Sequence, residues 1–187
     1  MVPPSRILVV AATARELAPS QGWRTLTCGV GPVDAAIASA AAIALDPPAA
    51  ILHVGIAGAR SLAPGTIVIG SEARYTDLVV AESFAPRGMV SDPLLVGAAR
   101  TALPDAPVLP IGTSARVGGT VDCEVEAMEG FAVLRAAQQA GIPALEVRAI
   151  SNAIGEPDRA RWEFDAAFAA LARITPVLVD AIARCVR

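Results

Sequence analysis

The chain has 187 residues, enough for one domain with a substantial buried core, and its content of 54% hydrophobic and 18% charged residues excludes a disordered chain. A formal net charge of −3 without a basic cluster argues against a nucleic acid as partner. Lysine does not occur in the sequence, which excludes Schiff-base and P-loop lysine chemistry.

The cysteines and the apolar segments indicate the cellular setting. Cys28, Cys123 and Cys185 are odd in number and far apart, which favours a reducing cytoplasm over a disulfide framework. Apolar runs stay below transmembrane length, and the N-terminal residues lack the pattern of a signal peptide. One histidine and three scattered cysteines do not supply a zinc ligand cluster. We therefore expect a cytoplasmic protein that contacts no membrane and needs no metal or organic cofactor.

The predicted elements alternate between strands and helices. In chain order they are a strand at residues 7–12, a short helix at 13–19, a strand at 25–28, a helix at Pro32–Leu45, strands at 50–54, 66–69 and 73–80, a helix at 93–103, a strand at 108–112, a helix from residue 125 onward, a strand at 144–150 and a C-terminal helix from about residue 158. Continuous apolar runs such as residues 7–12 are typical of strands buried on both faces. Residues 55–58 are predicted to form a loop, and Pro176 is expected to interrupt the C-terminal helix.

The helix from residue 125 and the strand after it form the unit with the most polar side chains. Glu129 is predicted on the first turn of this helix, and the strand ends at the pair Ser151-Asn152. Together the elements predict a single α/β domain over residues 1–187. It should have three αβα layers with a central mixed, mostly parallel sheet.

Polar side chains at the carboxyl ends of buried strands lie where open α/β sheets bind ligands. The candidates at such positions are Glu16, residues 55–58, residues 74–77, Met128, Glu129, Ser151 and Asn152. Purely structural roles are equally open at this point. Glu16 can stabilise a helix dipole, Glu129 can cap its helix, and Asn152 can begin a turn.

Two further patterns are weaker. His53 lies inside a predicted strand, which favours a hydrogen-bonded core residue over a catalytic one. Gly29 and Gly31 match the start of a dinucleotide fingerprint, but Asp34 occupies the position of the third glycine. A Rossmann-type nucleotide-binding module without hydrolytic activity therefore stays open as an alternative.

Five segments occur in an order that carries a family resemblance. The segments ILVVAATARELAP, VGIAGA, GTIVIGSEARYTDL, VEAMEGFAVLRAA and VRAISN resemble, in that order, the purine nucleoside phosphorylase superfamily. The nucleosidase branch is the most similar, and within it VEAMEGFAVLRAA followed by VRAISNAIGEPDRARW looks most like the futalosine hydrolases of menaquinone biosynthesis. The resemblance covers nearly the whole chain and implies the nucleoside phosphorylase-like fold.

This resemblance implies roles for the candidates. Glu16 stands where family members have the glutamate that activates the attacking water. Met128 would pack on the ribose, and Glu129 would accept hydrogen bonds from the ribose hydroxyls. The other residues expected to contact the substrate are Gly55, Ile56, Ala57, Val117, Gly118, Ser151 and Asn152.

Two departures from the family pattern bear on the substrate and the nucleophile. Adenine-specific nucleosidases end this strand with Ser-Asp, whereas this chain has Ser151-Asn152, so that an amide would make the catalytic contact to the purine N7. A related nucleosidase serine is replaced by Ile56, which favours water over phosphate. Arg60 and Arg74 keep a phosphorylase open, or could instead bind the carboxylate on the aromatic end of futalosine.

The hypothesis from the sequence is a purine nucleosidase that hydrolyses futalosine to hypoxanthine and dehypoxanthine futalosine. A methylthioadenosine/S-adenosylhomocysteine nucleosidase and a purine nucleoside phosphorylase are the alternatives within the superfamily. The resemblance also implies a homodimer in which the partner helps to close the 5′ side of the sugar.

Overall fold

The computed structural model describes residues 1–81 and 83–186. In these two ranges the chain forms eight strands and four α-helices. The strands are β1 (Ile7–Ala11), β2 (Arg24–Thr27), β3 (Ala50–Ala59), β4 (Ile67–Tyr75), β5 (Gly88–Val90), β6 (Val108–Thr113), β7 (Val125–Ala127) and β8 (Ala144–Ala153). The helices are α1 (Pro32–Leu45), α2 (Pro93–Ala102), α3 (Gly130–Gln139) and α4 (Phe164–Cys185).

The strands form one mixed sheet in the order β2-β1-β3-β7-β6-β4-β5. Strand β8 pairs with both β3 and β4, so β3, β7, β6, β4 and β8 close into a ring. The β1/β2, β1/β3, β3/β8, β4/β6 and β6/β7 pairs are parallel, whereas the β3/β7, β4/β5 and β4/β8 pairs are antiparallel. The predicted mixed, mostly parallel sheet is confirmed.

Helices cover the sheet on two sides, which confirms the three predicted layers. Helices α2 and α4 pack on one face, and α1 and α3 pack on the other. Strand β1 shows why both faces are apolar. Ile7 and Val9 point into the cluster with α2 and α4, whereas Leu8 and Val10 point into the cluster with α1 and α3.

Residues 55–58 are strand, so the predicted loop is wrong. Strand β3 continues to Ala59 because its second half pairs with β7 and with the end of β8. The β3/β8 register shifts between Ala57 and Gly58, a β-bulge that bends the strand at this point. Strand β8 likewise runs to Ala153, which places Ser151 and Asn152 inside the sheet and not after it.

The helix predicted from residue 125 begins only at Gly130. Residues 125–127 form β7 between β3 and β6, since long-range pairing overrides the local helical pattern there. Glu129 is the residue before the first helical turn, with φ −123° and ψ −22°. The predicted position of Glu129 on the first turn is therefore wrong.

Two other helix predictions also need correction. The helix at residues 13–19 is a single 3₁₀ turn, Ala14–Glu16, because Leu17 is already extended. Helix α4 runs through Pro176 without interruption. Thr175 Oγ1 donates to the Leu171 carbonyl oxygen at 2.7 Å, which gives the backbone an extra hydrogen bond next to the proline.

The strands of the edge region differ from the prediction in their bounds. Residues 67–75 form one strand, β4, where two strands at 66–69 and 73–80 were expected. Strand β5 pairs antiparallel with its second half and was not predicted.

Helix α4 is long and apolar enough to cross a membrane by length and composition, contrary to the expectation that no segment would be. In the structure 56% of its most apolar window is buried, and it packs against β3, β8 and α2. It is the core helix of this layer.

Candidate active site

The carboxyl ends of β1, β3, β7 and β8 surround a cavity of about 880 Å³. This is the edge at which parallel α/β sheets bind ligands. The floor and inner walls are formed by Thr13, Glu16, Ile56, Ala57, Gly58, Ala127, Met128, Glu129, Ser151 and Asn152. The outer walls carry Arg15, Val30, Val117, Glu126, residues 155–157, Arg159, Trp162, Phe164 and Phe168.

Glu16 lies at one side of the floor and is 5% exposed. Its Oε2 accepts hydrogen bonds from the backbone N–H and the hydroxyl of Thr13, both at 2.8 Å. Its Oε1 accepts from the backbone N–H of Ile56 at 3.1 Å. The side chain therefore stabilises its own turn, as expected for a purely structural role. It also holds a carboxylate between this turn and β3 at the cavity wall.

Glu129 also lines the floor and is 4% exposed. Its Oε1 accepts from the backbone N–H of Gly31 at 3.1 Å, and its Oε2 pairs with Arg148 Nη2 at 3.3 Å. Gly31 precedes α1 and has φ +92°, a conformation that suits glycine. Gly31, one of the two glycines that resembled a dinucleotide fingerprint, thus holds a carboxylate in place.

Arg148 is fully buried below this floor and was not among the predicted site residues. Its Nε donates to Glu146 Oε1 at 2.8 Å, and its Nη2 donates to His53 Nε2 at 2.6 Å. Burial acts to lower the pKa of Arg148, but Glu146 and Glu129 outweigh it, and the pKa is raised above its usual value. Arg148 is therefore a permanent cation between carboxylates.

His53 and Glu146 complete the buried cluster. His53 Nε2 accepts from Arg148, so Nδ1 carries the proton and donates to the Val10 carbonyl oxygen at 3.0 Å. Burial and the arginine charge hold the pKa of His53 well below its usual range. Burial raises the pKa of Glu146, whose Oε2 has no partner among the described residues. His53 is thus a neutral, hydrogen-bonded core residue, as predicted.

Two glycines make room for this charged cluster. A Cβ on Gly55 would collide with Arg148 Nη1 and would lie 2.9 Å from Glu16 Oε1. A Cβ on Gly130 would collide with both oxygens of Glu146. Glycine is needed at these positions because charged side chains pack directly on the backbone.

Ser151 and Asn152 also line the floor. The Ser151 hydroxyl donates to Asn152 Oδ1 at 2.7 Å, and Asn152 Nδ2 donates to the Ala153 carbonyl oxygen at 2.9 Å. Each polar atom of the amide keeps free capacity, since the oxygen has a second lone pair and the nitrogen a second hydrogen. The amide can therefore accept one hydrogen bond and donate one to a ligand.

Glu126 fixes the loop that follows β6. Its two oxygens accept from the backbone N–H groups of Gly118 and Thr120, each at 2.5 Å. Val117 of this loop is half exposed and lines the outer cavity. This role of Glu126 was not predicted from the sequence.

The structure brings most of the predicted site residues to one cavity and leaves a few outside it. The predicted residues on the cavity wall are Glu16, Ile56, Ala57, Val117, Met128, Glu129, Ser151 and Asn152. Gly55 lies behind the wall against Arg148, and Gly118 is held by Glu126. Two residues of the predicted set therefore support the cavity and do not line it.

Arg60 and Arg74 do not line the cavity, so the suggestion that they bind a substrate anion is wrong. Arg60 donates to the carbonyl oxygens of Thr120, Val121 and Cys123 at 2.6–3.0 Å. Arg74 pairs with Glu72 at 2.9 Å. Both guanidinium groups are occupied by the protein itself.

Metal and thiol chemistry find little support in the side chains. In residues 1–81 and 83–186 no group of three or more His, Cys, Asp or Glu side chains converges on a common point. Cys28 is buried near Glu129, and burial with that negative charge raises the pKa of its thiol to about 12. Cys28 is therefore a neutral thiol and a poor nucleophile.

Comparison with known families and proteins gives a consistent result. Residues 24–120 match the phosphorylase superfamily. The chain is 35% identical over 193 aligned positions to the futalosine hydrolase of Streptomyces coelicolor, covering 84% of this chain and 80% of that protein. It is 32% identical over 181 positions to the futalosine hydrolase of Thermus thermophilus, covering 81% and 79%.

Solved structures agree at the level of the fold. A methylthioadenosine/S-adenosylhomocysteine nucleosidase from Colwellia psychrerythraea superimposes with a TM-score of 0.79 at 18% identity, covering 96% of this chain and 95% of that one. The futalosine hydrolase of Helicobacter pylori superimposes with a TM-score of 0.80 at 15% identity, covering 93% and 97%. The predicted nucleoside phosphorylase-like fold is confirmed.

Proposed function

The chain belongs to the phosphorylase superfamily and within it to the futalosine hydrolases, which act on N-glycosyl bonds, and we propose on this premise that it hydrolyses futalosine. The products are hypoxanthine and dehypoxanthine futalosine. The observation that carries the proposal is the convergence of Glu16, Glu129 and Asn152 on one cavity. The reaction must remove a proton from water, stabilise positive charge on the sugar and stabilise the leaving purine, and each of the three side chains can serve one of these needs.

Glu16 is the proposed general base. Hydrolysis forms a bond between a water oxygen and C1′ while the C1′–N9 bond breaks and its electron pair leaves with the purine. Glu16 takes the proton from that water. Three donors from Thr13 and Ile56 fix the carboxylate so that it needs no reorientation. General-base catalysis of this kind contributes about 10²–10⁴-fold to the rate.

Glu129 is the proposed ligand of the ribose hydroxyls. Positive charge develops on the sugar as the bond breaks, and a buried carboxylate close to it stabilises that charge. The buried cluster supports this role because Arg148 and the backbone N–H of Gly31 hold the Glu129 carboxylate in place. Met128 lines the same wall and would pack on the sugar.

Asn152 is the proposed partner of the base. An amide has no titratable proton, so N7 takes its proton from solvent water as the C1′–N9 bond breaks. The Asn152 oxygen accepts from the protonated N7 while its amide hydrogen donates to the 6-oxo group of hypoxanthine. Adenine would set its 6-amino donor against the same N–H. The free capacity of the amide beside Ser151 supports this pairing.

Water is the proposed nucleophile in place of phosphate. Ile56 presents a hydrocarbon side chain to the cavity, and Arg60 and Arg74 are occupied elsewhere. A phosphate ion would need several N–H or hydroxyl donors on this wall. The wall formed by Ile56 and Ala57 supports hydrolysis over phosphorolysis.

A homodimer and a cytoplasmic location also belong to the proposal. Val33 and Ile37 are exposed on one face of α1, next to Val30 at the cavity wall, which is consistent with a partner near the 5′ side of the sugar. The three free thiols are consistent with a reducing compartment. Sedimentation equilibrium of the purified protein measures the oligomeric state directly.

A substrate panel tests the proposal. The protein is incubated with futalosine, methylthioadenosine and inosine, each with and without phosphate, and the released base and sugar are separated. We expect release of hypoxanthine from futalosine at the same rate with and without phosphate. Preferential cleavage of methylthioadenosine, or formation of a ribosyl phosphate, would contradict the proposal.

A further inference from the structure

The outer part of the cavity contains three aromatic rings in a row. Trp162 and Phe164 lie with ring centroids 5.5 Å apart, and Phe164 and Phe168 lie 6.0 Å apart. All three side chains are half-buried and line the cavity. Trp162 Nε1 donates to the Glu156 carbonyl oxygen at 3.2 Å, which fixes the orientation of the first ring.

Two arginines stack on these rings. The Arg15 guanidinium carbon lies 4.8 Å from the centroid of Phe168. The Arg159 guanidinium carbon lies 5.3 Å from the Trp162 centroid and 5.9 Å from the Phe164 centroid. Both arginines line the cavity, so the aromatic wall presents two cations to whatever enters.

The two stacked arginines keep their hydrogen-bonding capacity. Within the part of the chain that the structure describes, neither guanidinium group has a salt bridge or a side-chain hydrogen bond. Arg161, on the same 3₁₀ turn as Arg159, contrasts with them. It pairs with Glu156 at 3.4 Å and with Asp158 at 3.8 Å.

The charges along the cavity define a direction. The inner part contains the carboxylates of Glu16 and Glu129, and the outer part contains Arg15 and Arg159. The two outer carboxylates are already bonded, Glu126 to backbone N–H groups and Glu156 to Arg161 and a backbone N–H group. An anionic group is repelled by the inner end and attracted by the outer end. A ligand with a sugar at one end and an aromatic acid at the other would therefore enter in only one orientation.

We propose that Trp162, Phe164 and Phe168 with Arg15 and Arg159 form a subsite for a flat aromatic carboxylate on the 5′ side of the nucleoside. The rings stack on the aryl group, and the two guanidinium groups bind the carboxylate. The inference rests on the proposed function, because the aromatic carboxylate is the group that distinguishes futalosine from nucleosides with a neutral 5′ group. The arginines proposed to bind this carboxylate are therefore Arg15 and Arg159, and not Arg60 and Arg74.

The test compares futalosine with its methyl ester, which has the same shape without the charge. Arg15→Gln and Arg159→Gln are each assayed on both compounds, and Arg161→Gln serves as the matched control because its charge is already paired. We expect each of the first two variants to raise KM for the acid about tenfold more than KM for the ester. The double variant should show a difference of about 100-fold, and Arg161→Gln should show none. Higher ionic strength should raise KM for the acid more than for the ester.

The outcomes separate this inference from the proposed function. If the unmodified protein cleaves acid and ester equally well, and the arginine variants lose activity on both alike, the subsite is refuted and the proposed function stands. If the protein cleaves no futalosine, binding of 3-acetylbenzoate and 3-acetylbenzamide is measured by calorimetry instead. Tighter binding of the acid that is lost in Arg15→Gln and Arg159→Gln supports the subsite even though the proposed function fails. Equal binding of the pair refutes it.

A purely structural role of the arginines gives a different result. If Arg15 and Arg159 only stabilise the start of α4, the variants lower Tm and affect acid and ester equally. Tm is therefore measured for all four variants beside the kinetics.

Discussion

At the scale of single residues, Glu16 is the side chain whose change tests the chemistry most directly. Glu16→Gln keeps the size of the side chain and removes the base, and we expect turnover of futalosine to fall by about 10²–10⁴-fold. The amide NH₂ must face a donor on Thr13 or Ile56, so a small loss of stability, about 1–3 kcal/mol, is also expected. Substrate binding, measured by calorimetry on the slow variant, should persist.

Thr13→Val is the control for this change. It removes the hydroxyl that donates to Glu16 but keeps the carboxylate and its backbone donors. Turnover should fall far less than in Glu16→Gln. Near-normal turnover of Glu16→Gln would show that another group activates the water.

Asn152 tests the identity of the base. We expect the protein to prefer futalosine over its 6-amino counterpart by about one to two decades in kcat/KM, because a mispaired buried polar group costs about 1–3 kcal/mol. Asn152→Asp should narrow this gap, since a carboxyl group can accept from the amino group. If Asn152 only stabilises the strand end, Asn152→Asp will lower both rates equally. Equal rates of the unmodified protein on futalosine and its 6-amino counterpart would show that Asn152 does not select the base.

Single residues also show which positions at the cavity could be named from the sequence and which could not. Glu16, Glu129 and Asn152 could be named because the resemblance aligned them with short motifs, and the structure brings them to one cavity. Arg148 was missed because its partners come from β3 and from the residue before α3. One local signal was present. Glu146 and Arg148 are two residues apart in an apolar strand, so they share one face and can pair.

At the scale of helices, replacing a glycine by alanine should have opposite effects on stability at two positions, Gly97 and Gly130. Gly97 lies in α2 and is exposed, and a Cβ there would meet no atom within 4 Å. Gly97→Ala should stabilise the protein by about 0.5–1 kcal/mol, since alanine has the higher helix propensity. Gly130 begins α3, and a Cβ there would collide with Glu146.

Gly130→Ala should therefore destabilise the protein and lower its activity. The added methyl group must displace Glu146 or the start of α3, and Glu129 is the neighbouring residue, so its position would shift. We expect a loss of about 1–3 kcal/mol, measured by urea unfolding, with a fall in kcat/KM. If both glycine variants gained stability, the close packing of Glu146 on α3 would be wrong.

Element boundaries were predicted well where local signals decide them. Helix α1 has the bounds expected from a proline at its start and prolines after its end. The boundary between β7 and α3 was misplaced by five residues because β7 is a three-residue strand held only by pairing with β3 and β6. The break predicted at Pro176 does not occur in α4, because burial of an apolar face maintains a helix that propensity alone would break.

At the scale of the whole molecule, the sequence predicted the layers but not the closure of the sheet. Apolar runs and helix periodicity are local and indicate an αβα arrangement. The ring of five strands depends on β8 pairing with both β3 and β4, and residues distant in sequence decide that pairing. This closure brings the ends of β3, β7 and β8 around one cavity, so the site is a consequence of the long-range topology.

The stability of the whole molecule should depend on pH through its only histidine. His53 is buried and neutral, and protonation of Nε2 would set an N–H donor against Arg148. The folded-state pKa lies below the ordinary value of 6.5, so the unfolded chain binds the extra proton as pH falls. The stability that neutral His53 contributes is therefore present above about pH 6.5 and is lost below it.

We expect the free energy of unfolding to fall by up to about 1.4 kcal/mol per pH unit below that value through His53 alone. His53→Gln supplies an acceptor for Arg148 that cannot titrate, and should lack this part of the slope between pH 7 and 5.5. Burial raises the pKa of Glu146, which gives a slope of the opposite sign, but Glu146 is present in both proteins. The difference between the two curves from urea unfolding therefore isolates His53. Parallel curves would mean that His53 takes up a proton in the folded protein as readily as in the unfolded chain, and that burial next to Arg148 does not keep it neutral.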